Sequence, residues 1–99
     1  MSHGKIDFGE YLHQLRTEHK LSQKKVADKL GIDISMLSKI EHGERQVQSY
    51  MLTSVAELFD LDYRTLQIQF LNQRIEDEFG NEPYLLDSIK LFIKKKSNN

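Results

Sequence analysis

Apolar residues recur along this chain at steps of three and four rather than two. Phe8, Tyr11, Leu12 and Leu15 mark an amphipathic helix over about residues 7–19, with Asp7 as N-cap and Glu10 at the capping-box position. Ser22 caps a short second helix, 23–30, whose inward positions are Val26, Ala27 and Leu30. Gly31 ends it, because a residue without Cβ takes the left-handed conformation at little cost. Ile32 is the apolar residue inside the turn, and Asp33 is the next cap. A third helix, 34–42, turns Leu37 and Ile40 inward and stops at Gly43 in the same way.

A fourth helix, 49–59, carries Leu52, Val55, Ala56 and Phe59 inward, and Asp60-Leu61-Asp62 supplies a turn and a cap. The fifth pattern runs unbroken over 63–79, about 25 Å at 1.5 Å per residue. Gly80-Asn81-Glu82-Pro83 breaks the chain, and Pro83 suits the first turn of a sixth helix over 83–95. No strand alternation, internal repeat or low-complexity tract interrupts this series. The fifth helix has two apolar sides: Leu66 and Phe70 lie together, while Ile68, Leu71, Ile75 and Phe79 cluster roughly opposite. The sixth is apolar nearly all round, with only the side of Asp87, Lys90 and Lys94 polar. An intrachain helical hairpin supplies one neighbour for these faces and a second subunit the other, so a homodimer is expected through Ile68, Leu71, Ile75, Phe79, Leu85, Ile89 and Phe92. A self-contained six-helix monomer is the alternative.

Composition narrows the chemistry. Ninety-nine residues make one domain, and 38% hydrophobic with 29% charged residues is a soluble globular profile. With no cysteine there is no disulfide and no thiolate chemistry, as befits a reducing cytoplasm. No apolar run approaches the roughly 20 residues that span a bilayer, and the N-terminus lacks the apolar core of a secretory signal. A net charge of −1 excludes a bulk polycation but leaves room for a local basic patch.

The segment from Leu21 to Arg45 carries the functional reading. Two glycine-terminated helices joined by a very short turn form a helix-turn-helix. Ser22-Gln23 opens the second helix, Val26-Ala27 lies within it, and Leu30-Gly31-Ile32 makes the turn. Leu37-Ser38-Lys39-Ile40-Glu41 follows in the third helix, then Gly43-Glu44-Arg45. With Val55-Ala56-Glu57 and Leu58-Phe59-Asp60-Leu61 downstream, this set resembles the phage-repressor-like (Cro/CI, XRE) helix-turn-helix family over about residues 7–70. The resemblance implies an all-α fold: a five-helix repressor-like DNA-binding domain with an extended fifth helix and a sixth C-terminal helix. The chain is then expected to comprise a DNA-binding domain, 1–70, and a C-terminal helical extension, 71–99, whose apolar faces serve dimerisation within the same compact unit.

A helix entering the major groove needs small or polar residues outward and apolar residues inward, and the third helix meets that demand. By matching positions, Ile34, Ser35 and Lys39 face base edges, with Ser38 as a fourth. Lys39 can donate to guanine and Ser35 can pair with several bases. Ile34 departs from the family's frequently polar choice: it contacts a thymine methyl, or it packs on the second helix. Gln23, at a helix N-terminus, is expected on a phosphate. Resembling domains grip the backbone from the loops that hold Lys24, Arg45, Gln46 and Ser49, whereas Lys25 reads as solvated surface. The family also places an arginine of the first helix against a glutamate closing the third, here Arg16 and Glu41, as a structural ion pair; phosphate contact is the other role open to Arg16.

Other chemistries fit poorly. His13 and His19 point to different sides of one helix, His3 belongs to a tail, and His42 caps a helix end or approaches a phosphate, so no metal site is expected. Catalysis, a cofactor and a small-molecule ligand are not expected either. Lys94-Lys95-Lys96 reads as a solvated terminus rather than a membrane patch. The expected function is that of a cytoplasmic, sequence-specific regulator of transcription on double-stranded DNA, a repressor or autoregulator, with a restriction–modification controller as one form of it. The alternative is an antitoxin or adaptor-type protein-interaction module.

Overall fold

The computed structural model describes residues 7–97; residues 1–6, His3 among them, and 98–99 lie outside the described part. Six α-helices follow one another: α1 (Phe8–Glu18), α2 (Gln23–Leu30), α3 (Ile34–Glu41), α4 (Leu52–Phe59), α5 (Tyr63–Phe79) and α6 (Leu85–Ser97). A 3-10 turn, Ser49–Met51, leads into α4, so the expected fourth helix opens with a tighter turn.

Side-chain caps set where α2, α3 and α5 begin. Ser22 accepts from the Lys25 amide at 3.0 Å, Asp33 from Met36 at 2.7 Å, and Asp62 from Thr65 at 3.0 Å. Each bond satisfies an amide that has no partner inside its own helix. Gly31 and Gly43 take φ of +73° and +82°, as their positions behind α2 and the α3 cap require. Lys20 and Asp60 adopt the same left-handed backbone after α1 and α4 without being glycine. Gly80 stays right-handed (φ −56°), and the chain turns toward α6 through successive bonds, Glu82 N–H to Phe79 C=O and Leu85 N–H to Glu82 C=O. Pro83 therefore sits in the turn before α6, two residues ahead of the helix it was expected to open.

The inward positions of the first five helices form a single core. Leu12, Val26, Leu37, Ile40, Leu52 and Val55 are almost wholly shielded from solvent, and Val47 and Met51 join them from the segment before α4. Leu66 and Phe70 supply the share of α5, with Phe8 edge-on to Phe70 at a centroid distance of 5.6 Å. Core packing also demands a close approach between α1 and α3. Gly9 is buried, and a Cβ there would strike the carbonyl oxygen of Ile40.

Burial of apolar side chains ends at Phe70. Beyond it Leu71, Ile75 and Phe79 on α5 stay exposed, as does Ile68 just before. No side chain of α6 is buried, and only Leu85 and Ile89 are half-covered. This corrects the expectation of an intrachain hairpin: a helix laid along α5 would shield a continuous stripe on both partners. The radius of gyration, 15.4 Å, is correspondingly larger than the roughly 13 Å of a compact chain this long.

Candidate nucleic-acid interface

The third helix divides its residues sharply between core and solvent. Leu37 and Ile40 are fully buried, while Ile34, Ser35 and Lys39 are exposed and Ser38 is half-exposed. Asp33 is committed to its cap on Met36, so the carboxylate at the head of α3 faces its own helix. At the other end the His42 ring lies 2.7 Å from the Ser38 carbonyl, which makes it a C-terminal cap. Lys39 and Arg45 form no ion pair among the described residues, and the Glu44 and Arg45 amides both turn back to the Lys39 carbonyl, at 2.8 and 3.3 Å. The loop carrying Arg45 is thereby folded against the end of α3. Arg45, Gln46 and Ser49 are all exposed.

Glu41 is the hub that fixes this helix to its scaffold. Its side chain is 2% exposed, yet four donor atoms converge on it. Arg16 donates from Nε to Oε2 at 2.7 Å and from Nη2 to Oε1 at 3.1 Å, a bidentate pair that joins α1 to α3. A third guanidinium nitrogen reaches the Leu21 carbonyl at 3.0 Å, which pins the α1–α2 loop as well. His13 Nδ1 lies 2.9 Å from Glu41 Oε1, and the Gln23 amide donates to the same oxygen at 3.3 Å. Burial raises the carboxyl's pKa, but the hydrogen bonds from Arg16, His13 and Gln23, helped by the Arg16 charge, more than reverse this and hold it below the usual carboxylate range.

Two of these partners were not foreseen. Gln23, expected to point at a phosphate, is half-buried and spends one N–H on Glu41; among the described residues its carbonyl and second N–H take no partner. From the sequence His13 reads only as a candidate metal ligand; its position three residues before Arg16, on the same side of α1, is the signal that joins it to the ion pair. Lys24 is exposed and paired with Asp28 at 3.0 Å, a contact weak enough to exchange for a phosphate. Among the described residues no group of acidic or histidine side chains is placed to hold a metal, and no helix is long and apolar enough to cross a membrane.

A helix-turn-helix family model matches residues 12–66, more than half of the chain and all of α2, α3 and the turn between them. No curated protein matches the sequence. A chain from the solved complex of the SinR and SinI proteins shares the fold with a TM-score of 0.50, at 22% identity over 92% of this chain and 98% of that one. Motif, fold and family model thus agree, and the chain belongs to the phage-repressor-like (XRE) helix-turn-helix family of DNA-binding transcription regulators.

Proposed function

We propose that this regulator is a sequence-specific repressor or autoregulator that grips duplex DNA as a two-fold homodimer. The observation that carries the reading is the split surface of α3. Its solvent side offers Ile34, Ser35, Ser38 and a Lys39 that forms no ion pair among the described residues, while its other side is locked into the core. On this reading those four side chains address base edges in the major groove. Gln23, Lys24, Arg45, Gln46 and Ser49 hold the flanking phosphates, and the Arg16–Glu41 pair keeps the helix at a fixed depth. The DNA-binding unit is residues 1–70, in keeping with a core that ends at Phe70. Residues 71–99 bring two copies together over the exposed apolar faces of α5 and α6, which a lone protomer leaves in water. Two recognition helices then reach half-sites about 34 Å apart, enough contacts to specify an operator. A controller of a restriction–modification system is one role within this class.

Selection of bound sequences from a random duplex library tests the proposal, and a two-fold symmetric motif is the expected outcome. Lys39→Ala should weaken binding to that motif by on the order of 1–3 kcal/mol and relax the choice at one base. Unchanged affinity and selectivity would remove α3 from the major groove.

A second reading has its own support. The exposed α5–α6 face would equally accept a different protein, as in an antitoxin or adaptor, and the structural neighbour was solved in a complex of two proteins. Sedimentation equilibrium separates the two: self-association of the purified chain favours the homodimer, and a monomer that binds DNA only with a co-purifying protein favours the adaptor.

A further inference from the structure

We infer that Ile34 reads a methyl group: it meets the C5-methyl of a thymine in the operator half-site, and the operator is defined in part by that apolar contact. The inference rests on the DNA-binding reading above. Ile34 is the first residue of α3 and 46% exposed. Ile32 and Met36, on either side of it, are partly buried and packed on the core, whereas Ile34 is left exposed. It is thus the large apolar member of an otherwise polar outward row, Ser35, Ser38 and Lys39.

An isoleucine side chain neither donates nor accepts a hydrogen bond, so it cannot take part in the donor–acceptor code of the groove. The apolar group that a base pair presents in the major groove is the thymine methyl, and an aliphatic side chain at the head of a recognition helix is its complement. A β-branched side chain is also stiff at χ1, so docking it against a methyl orders little that was free before. The neighbouring Asp33 carboxylate is held on the Met36 amide at 2.7 Å, turned toward its own helix. Contact with the methyl removes the exposed face of Ile34 from water, the same driving force that buries aliphatic groups in a core.

The test uses the full chain and the operator obtained by selection. Each thymine of a half-site is replaced in turn by deoxyuridine, which deletes the C5-methyl and leaves every hydrogen-bonding group in place. One position should weaken binding about four-fold, the equivalent of roughly 0.8 kcal/mol for one buried methyl. Ile34→Ala should bind the thymine and uracil operators equally, and Ile34→Val should keep most of the preference. Because the residue is exposed, both variants should unfold as the native chain does, which a urea titration checks. The inference is overturned if no thymine is sensitive, or if the sensitivity survives in Ile34→Ala. A chain that selects no sequence at all sinks the DNA-reading proposal itself, and the methyl contact with it.

Discussion

Two residues decide how α3 sits: Gly9 is buried, and the Glu41 side chain is only 2% exposed. Gly9 lets α1 approach the carbonyl end of α3, and any side chain there would collide with the Ile40 oxygen. Gly9→Ala should therefore destabilise the fold by about 1–3 kcal/mol, the range for overpacking, in urea unfolding, although alanine is the better helix former. Glu41 works by charge. Its folded pKa is depressed, so the stability it confers is present above the ordinary carboxyl value of the unfolded chain and is lost as pH falls through the lower folded value. Glu41→Gln should be less stable at neutral pH, because Arg16 is then left partly buried without its counter-charge, and the deficit should shrink on acidification. Thermal melts of both proteins from pH 7 down to about 3 would show it. A constant deficit across that range would mean that packing, and not the ion pair, is what Glu41 supplies.

The helices themselves were largely written in local chemistry. Ser22, Asp33 and Asp62 were legible as caps because a short polar side chain before an apolar 3.6-residue pattern satisfies amides only three positions away. Asp33→Ala should cost about 1 kcal/mol and Asp33→Asn almost nothing, which differential scanning calorimetry would resolve. Were the two equal, the capping oxygen at the head of α3 would not be what starts that helix. The pattern also located the core face of α5 in Leu66 and Phe70, since 100° per residue is a property of the helix alone. What periodicity did not deliver was the 3-10 turn before α4 or the delayed start of α6. Both are choices between neighbouring hydrogen-bond patterns of nearly equal local energy.

For the molecule as a whole, the unanswered demand lies in the C-terminal third. Ile68, Leu71 and Phe79 are each about half exposed, and Tyr84, Leu86 and Phe92 more so, which is costly for an isolated chain. If a second copy covers this surface, replacing Ile75 and Phe79 together by glutamate should convert a self-associating protein into a monomer. The first five helices should keep their fold, because their core is complete at Phe70. Sedimentation equilibrium gives the mass, and the same variant should lose most of its affinity for a two-half-site operator while keeping that for one half-site. A double variant still dimeric would place the contact elsewhere.

By itself the sequence determined the helices, their caps, the polar and apolar sides of α3 and the family to which that helix belongs. These depend on hydrogen bonds and side-chain spacings that close within three or four residues. Only the tertiary structure decided which distant groups meet. Arg16 and Glu41 lie 25 positions apart and were paired in advance only through resemblance, while His13 and Gln23, 28 and 18 positions from Glu41, joined the same carboxylate unannounced. It decided also that Ile34 keeps 46% of its surface exposed and that α6 does not fold back on α5. Such contacts depend on how whole helices pack, and a one-dimensional pattern specifies the faces that must be buried without saying against what.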